Sequence, residues 1–272
     1  MSLLQAIFLG IVQGLTELLP VSSSAHLVIA QGFMPVFYQP GVLFDAVVHL
    51  GTLAAVIFFF REDIWMMLCS LWPGKRNFSL PLKQQRFFRR LLILILASTA
   101  LTATIGLTFR EEIESLFTST KIAASMLFVT GLLLYLSDRI RYNSANEEKL
   151  SFPKALLLGL AQGFALIPGI SRSGATIACG IFLGLNRKTA ARYSFLMSIP
   201  AVMGAVALQA PHFSAVTAGD LPSYLAGFLA AAVTGFFSLK LLYLFLRKAT
   251  LRFFAYYCWL FGGSVLIALW HM

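Results

Sequence analysis

Residues 159–176 of this 272-residue chain, GLAQGFALIPGISRSGAT, combine an arginine with a break in a long apolar segment. Arg172 follows the helix-breaking pair Pro168-Gly169, inside residues 155–185, which hold no other charge. A charged side chain at membrane depth is costly and usually faces a cavity or a partner. Guanidinium, hydroxyl and backbone N–H groups all donate to anions, so the stretch predicts an anion-binding loop. A buried structural ion pair is the alternative.

A similar stretch, GIVQGLTELLPVSSSAH, occupies residues 10–26. Aligned without gaps, the two stretches match at Gly10 and Gly159, Gln13 and Gln162, Gly14 and Gly163, Ser22 and Ser171, and Ser24 and Ser173. Chance explains matching leucines and alanines, but not the paired Gln-Gly and Ser-x-Ser. A repeat with an interrupted apolar segment in each half is typical of membrane proteins whose site lies between two halves.

The composition defines the broad class. Of all residues 58% are hydrophobic and 12% are charged, and the mean hydropathy is +0.81. A soluble core cannot bury that much apolar surface, so we expect an all-α polytopic membrane protein. The net charge of +10 comes from basic residues scattered between apolar segments, which favours contact with membrane lipids and no nucleic acid. The three cysteines lack metal-site spacing, and no disulfide is implied.

Six apolar segments are long enough to cross, or nearly cross, a hydrocarbon core of about 30 Å. These predicted transmembrane helices are Leu43–Phe60, Leu91–Phe109, Ile122–Ser137, Tyr193–Ala210, Leu221–Leu246 and Phe253–Trp270. Two further apolar segments, 3–33 and 155–185, are broken by proline and serines. We expect each of them to form a re-entrant helix–loop–helix hairpin, because irregular backbone at membrane depth is tolerated around a cavity or within protein.

This arrangement predicts the topology. Most of the 21 Lys and Arg residues then fall on one face, which we place in the cytoplasm, with both termini outside. The chain forms one integral membrane domain of two inverted repeats, about residues 1–137 and 150–272. The insertion 61–90, with Trp65 and Trp72, is expected to lie partly along the interface. Full crossings by both hairpins are the alternative, since they preserve much of the charge pattern.

The first hairpin carries chemically capable side chains. Gln13 and Glu17 lie one helical turn apart, and three serines and His26 follow Pro20. Each has a structural explanation: a glutamine bridges helices, serines cap backbone, and a lone histidine packs. A carboxylate within the membrane is harder to explain structurally. Asp45 and His49, spaced i,i+4 on the next span, are either supporting residues of this site or purely structural.

The chain resembles the undecaprenyl-diphosphate phosphatase family of bacteria, also called BacA or UppP. The resemblance is carried by Glu17, Pro20–Ser23, His26, Pro168–Thr176 and Phe195–Ala205, and it spans essentially the whole chain. It implies a plasma-membrane hydrolase of undecaprenyl diphosphate that recycles the lipid carrier for cell-wall synthesis and is linked to bacitracin resistance. It also implies a divalent cation, Mg²⁺ or Ca²⁺, and a site opening to the extracytoplasmic side. A homodimer is left open.

Carried over by position, the resemblance implies catalytic roles for Glu17, Ser23, His26 and Arg172. It implies substrate-binding roles for Gln13, Ser22, Ser171, Ser173, Gly174 and Thr176. Glu17 is the expected metal ligand, with Gln13 as a second candidate. Many relatives have Glu where this chain has Gln13, which leaves Glu17 as the one acidic candidate.

We expect Ser23 to attack the phosphate, His26 to act as acid–base, and Glu17 to orient or to bind metal. Attack by His26 itself or by a metal-activated water is the alternative. A lipid flippase without hydrolysis is the main rival function, because inverted repeats and broken helices are common in transporters. An intramembrane serine protease fits less well, since the chain lacks a nucleophile elbow and that function gives Arg172 no role.

Overall fold

The computed structural model describes residues 1–34, 43–71, 81–140, 150–215, 217–248 and 250–271. Within these ranges the chain forms twelve α-helices and a 3₁₀ segment (Ala210–Ala215), and no strand. The helices are α1 (Leu3–Leu18), α2 (Ser23–Gly32), α3 (Leu43–Phe59), α4 (Arg61–Cys69), α5 (Leu82–Thr108), α6 (Arg110–Leu116), α7 (Thr120–Arg139), α8 (Phe152–Phe164), α9 (Arg172–Phe182), α10 (Arg187–Leu208), α11 (Leu221–Lys248) and α12 (Arg252–Trp270). The predicted all-α class is confirmed.

Five of the described helices, α5, α7, α10, α11 and α12, are long and apolar enough to cross a membrane. A sixth span is counted when α3 is joined to α4, from which it bends by 72°. These helices coincide with the six predicted spans, so the chain is a multi-pass membrane protein. Four of them begin earlier than predicted: α7 at Thr120 and α12 at Arg252 by one or two residues, and α5 at Leu82 and α10 at Arg187 by more than a helical turn. Helical hydrogen bonding continues through the charged residues that flank each apolar run.

Both interrupted segments form helix–loop–helix hairpins, α1–α2 and α8–α9. A serine begins the second helix of each in the same way: the Ser22 hydroxyl accepts from the backbone N–H of Ala25, and the Ser171 hydroxyl from that of Gly174. Helices α2 and α9 have 10 and 11 residues, so each spans only about half of a hydrocarbon core. These lengths suit hairpins that enter the membrane partway.

The hairpin of each half packs against a long helix. Helix α1 of the first hairpin packs along α11, and α8 of the second packs along α5. The aligned glycines lie at these contacts: a Cβ atom at Gly10 would lie 2.4 Å from the carbonyl oxygen of Gly227, and one at Gly159 would lie 2.5 Å from that of Ser98. The glycine pair therefore marks equivalent close helix contacts. The predicted repeat boundaries stay a prediction.

Ion pairs join helix ends beside the predicted basic loops. Arg192 at the start of α10 binds Asp63 of α4, and Asp138 at the end of α7 lies 2.9 Å from Arg187 and 3.5 Å from Arg252. Helix α4 occupies the first part of the insertion predicted to lie along the interface. The rest of that prediction, including Trp72, falls outside the described residues.

Candidate active site

The tips of the two hairpins meet. The backbone N–H of Gly169 donates to the Ser24 hydroxyl at 3.4 Å, and Arg172 forms an ion pair with Glu17. A cavity of about 660 Å³ lies beside this contact. From the hairpins its lining includes Glu17, Ser22, Ser23, Ser24, Ser171 and Arg172. Residues that are far apart in sequence are therefore brought to one place.

Glu17 is the centre of the polar contacts, and its side chain is only 7% exposed. Its Oε1 atom binds Nη2 of Arg172. Its Oε2 atom accepts from the Ser23 hydroxyl and from the Gln13 amide at 3.2 Å, and lies 3.4 Å from Nε2 of His49. The sequence near Arg172 offers no carboxylate, yet the fold supplies one from the other hairpin.

Arg172 is the first residue of α9. Its Nη2 atom binds Glu17, but its Nη1 atom is buried and finds no hydrogen-bond partner among the described residues. An unmet buried donor is costly, so an oxygen from a ligand or water suits this position. The first N–H groups of a helix also lack intrahelical acceptors and carry partial positive charge. Guanidinium and helix terminus together favour an anion here.

Helix α7 holds the second loop in place. Gly169 has a φ of +100°, and a Cβ atom there would lie 2.3 Å from the carbonyl oxygen of Ala123. The hydroxyl of Thr130 donates to the Gly169 carbonyl at 2.8 Å and accepts from the N–H of Ser171 at 2.9 Å. Thr130 thus fixes the backbone that presents Arg172. No local sequence signal indicates this role, because Thr130 lies within an ordinary apolar span.

The first loop contains a strained residue. Ser22 has a φ of 69°, the one positive value at a non-glycine residue within the described ranges. Such a conformation costs about 1–3 kcal/mol and is often found at functional sites. Its carbonyl oxygen accepts from the backbone N–H of His26 at 3.3 Å and lies 2.7 Å from Nδ1 of the same residue. These bonds stabilise the turn that brings Ser23 to Glu17.

His26 faces away from the cavity. Its Nε2 atom lies 2.8 Å from the Tyr257 hydroxyl, and its ring stacks on Phe261 at 4.4 Å. In the described part of the chain it neither lines the cavity nor makes a hydrogen bond with Ser23. The side chain folds back over the Ser22 carbonyl and packs on α12. The expected acid–base role stays a prediction without a supporting contact.

Three residues of the expected phosphate loop lie outside the cavity lining and contact their neighbours instead. The Ser173 hydroxyl is 3.3 Å from that of Ser171, the Gly174 N–H donates to Ser171 at 3.0 Å, and the Thr176 hydroxyl is 2.5 Å from a serine hydroxyl of α10. Ser173, Gly174 and Thr176 are not among the described residues that line the cavity. Their contacts stabilise the loop, and their expected contact with substrate stays a prediction.

The structure adds His49 to the site. It lines the cavity from α3, and its side chain is 28% exposed. The i,i+4 spacing with Asp45 was the available sequence signal, but it did not distinguish a supporting role from a structural one. Within the described ranges no group of three His, Cys, Asp or Glu side chains is placed to hold a metal ion.

Membrane-spanning helices surround two hairpins, and arginine, carboxylate and serines lie beside a cavity where the hairpins meet. These features define a polytopic membrane protein with a polar cavity between two hairpins. Residues 6–264 match the family described as "Bacitracin resistance protein BacA". The chain belongs to this family.

Curated relatives cover nearly the whole chain. A protein of Syntrophotalea carbinolica named "Undecaprenyl-diphosphatase" is 45% identical over 263 residues, 97% of each chain. Proteins of the same name from Carboxydothermus hydrogenoformans and Methanobrevibacter smithii are 42% and 40% identical over 271 residues. These alignments cover 98% and 96% of this chain, and 97% and 96% of the respective relatives.

Proposed function

We propose that this protein is an undecaprenyl-diphosphate phosphatase. It hydrolyses undecaprenyl diphosphate to undecaprenyl phosphate and inorganic phosphate in the bacterial plasma membrane, and so returns the lipid carrier to cell-wall synthesis. The observation that carries this proposal is the meeting of Glu17, Ser23 and Arg172 in one cavity. The names of the close relatives support the substrate.

Arg172 and the start of α9 bind the terminal phosphate. The guanidinium keeps Nη2 on Glu17 and offers the unpartnered Nη1 to a phosphate oxygen. Phosphoryl transfer depends mainly on neutralising the non-bridging oxygens and on alignment. Donors fixed in place before the reaction supply both without a reorganisation cost.

Ser23 is the nucleophile, and Glu17 is the group that takes its proton, because the hydroxyl already donates to that carboxylate. The Ser23 oxygen bonds to the terminal phosphorus while the anhydride P–O bond breaks, and undecaprenyl phosphate leaves with that bridging oxygen. Water then hydrolyses the phosphoserine to release phosphate and restore the hydroxyl. In this scheme His26 supports the turn at Ser22.

The site fits a divalent cation, expected to be Mg²⁺ or Ca²⁺, at the Glu17 carboxylate. Among the described residues, few protein ligands surround this carboxylate, which suits an ion that keeps waters and takes oxygens from a phosphate substrate. When bound, such an ion neutralises charge on the diphosphate. Gln13 turns its amide nitrogen toward Glu17, so this residue acts as a hydrogen-bond partner of the carboxylate.

The cavity also suits a lipid. Apolar side chains of α2 and α10 form much of its wall, including Leu27, Val28, Ala201, Val202 and Val206. Arg110 and Glu114 of α6 line it as well. Helix α6 lies in a loop assigned to the outside by the charge distribution, so we place the opening on the extracytoplasmic side. The diphosphate binds at the hairpins while most of the prenyl chain stays in the lipid.

Phosphate release from undecaprenyl diphosphate by the purified protein tests this function. We expect release by the wild type, its loss in Ser23→Ala, and normal release in Ser137→Ala, which removes a buried hydroxyl at the end of α7. Brief reaction with substrate labelled in the terminal phosphate is expected to leave label on Ser23. Binding and movement of the lipid without phosphate release would instead support the flippase.

A further inference from the structure

His49 is held with one ring nitrogen toward Glu17. Its Nδ1 atom lies 2.7 Å from the backbone carbonyl oxygen of Asp45, which can only accept, so Nδ1 carries a hydrogen. In the neutral ring Nε2 then has a lone pair and no hydrogen. This lone pair lies 3.4 Å from Oε2 of Glu17. With a neutral ring, two acceptors face each other at the wall of the cavity, whereas a protonated ring forms an ion pair with Glu17.

A divalent cation between the two atoms resolves this arrangement. Imidazole nitrogen and carboxylate oxygen bind such ions at about 2.0–2.2 Å. Two ligands at that distance lie roughly 3.0–3.4 Å apart for octahedral to tetrahedral angles, which matches the separation found here. Metal-binding histidines also usually donate their other N–H to a carbonyl or carboxylate, as His49 does to Asp45.

Arg172, Ser23 and Gln13 all contact Glu17 through hydrogen-bond donors, the last two at Oε2, so His49 is the neighbour of Oε2 that presents a ring nitrogen as a ligand. Arg172 occupies Oε1, and the amide nitrogen of Gln13 lies on the Oε2 side, which turns the Gln13 oxygen away from the carboxylate. That oxygen is buried without a partner among the described residues, and Gln13 does not appear in the cavity lining that they form. The second protein ligand beside Glu17 is therefore His49 of α3, and not Gln13, which lies one turn earlier than Glu17 on α1.

We infer that His49 Nε2 and Glu17 Oε2 are the protein ligands of the cation site. The inference rests on the proposed function only for the other ligands, which are water and diphosphate oxygens. A nitrogen ligand shifts preference toward first-row metals, so the site binds Mn²⁺ or Zn²⁺ more tightly than Mg²⁺ or Ca²⁺.

Pulsed electron paramagnetic resonance of Mn²⁺ bound to the detergent-solubilised protein, without substrate, tests the inference. A directly bound imidazole gives modulation from nitrogen. We expect it in the wild type, a changed pattern after ¹⁵N-histidine labelling, and its loss in His49→Gln, together with Mn²⁺ affinity weaker by about 10-fold or more. His26→Gln is the matched control and keeps the signal, because that ring faces α12.

Three outcomes overturn the inference: no Mn²⁺ binding, no nitrogen modulation in the wild type, or modulation that survives in His49→Gln. The labelled wild type decides the matter if His49→Gln does not fold. Phosphate release is measured separately on the same preparations. If Mn²⁺ is bound by nitrogen but no cation supports phosphate release, the proposed function is refuted and the metal site stands. If phosphate is released but Mn²⁺ shows no nitrogen coordination, the metal site is refuted and the proposed function stands.

Discussion

Arg172 of the second hairpin forms an ion pair with Glu17 of the first, across 155 positions of sequence. Their side chains are 17% and 7% exposed. Either charge alone would be buried without compensation, so the pair joins the two hairpins as well as forming the site. The ion pair realises the structural alternative to the predicted anion loop, and anion binding by Arg172 stays a prediction.

Arg172→Lys should reduce phosphate release by about 100-fold, the scale seen when one well-placed donor is removed. An ammonium has no rigid fork with which to bind Glu17 and a phosphate oxygen together. Activity is measured at saturating lipid, with Arg187→Lys as the matched control in a remote ion pair. Near-normal turnover of Arg172→Lys would contradict the assignment.

Glu17→Gln should abolish phosphate release at every metal concentration, because it removes the carboxylate that contacts Ser23, Arg172 and His49. It should also lower stability by about 3–5 kcal/mol, since an arginine remains buried without its partner. Asp138→Asn breaks another buried ion-pair network and should destabilise without abolishing turnover. Metal titrations and thermal unfolding separate the two effects, and an active Glu17→Gln would refute the role.

Gln13→Glu should lower the Mg²⁺ concentration needed for half-maximal activity, because a second carboxylate would lie beside Oε2 of Glu17. Without metal, repulsion between the carboxylates should lower the melting temperature, and added Mg²⁺ should restore it. Gln162→Glu, which makes the same change at the aligned position of the second hairpin, is the matched control. An unchanged metal requirement in Gln13→Glu would mean that residue 13 does not act on the cation site.

Gly159→Ala and Gly10→Ala should each destabilise the fold by about 1–3 kcal/mol, because the added methyl groups would overlap backbone oxygens of the facing helices. Gly204→Ala is the control, since its Cβ atom would meet nothing within 4 Å, and alanine favours helix at that position. Thermal unfolding in detergent measures all three. Equal melting temperatures would argue against the close helix contacts.

Both termini should lie outside the cytoplasm, as the distribution of basic residues predicts. A reporter that functions only in the cytoplasm should stay inactive when fused after the last residue. The same reporter inserted between α4 and α5 should be active. The opposite pattern would invert the topology and place the cavity opening in the cytoplasm.

The sequence by itself determined the class of the protein and the main elements. Apolar length fixes the spans, because a helix must cover the hydrocarbon core and satisfy its own backbone hydrogen bonds. Proline, glycine and serines mark the breaks at 19–22 and 165–171, since they interrupt helices and cap the next one. The aligned glutamines, glycines and serines indicated that the two breaks are related.

The partners of the reactive groups were decided by tertiary structure alone. Glu17 reaches Arg172 because the hairpins meet tip to tip, and His49 rather than His26 faces the carboxylate because α3 borders the cavity while His26 packs on α12. Side-chain direction at a loop depends on which helices surround it. Sequence spacing fixes distances along one helix, but it does not fix which helix lies opposite.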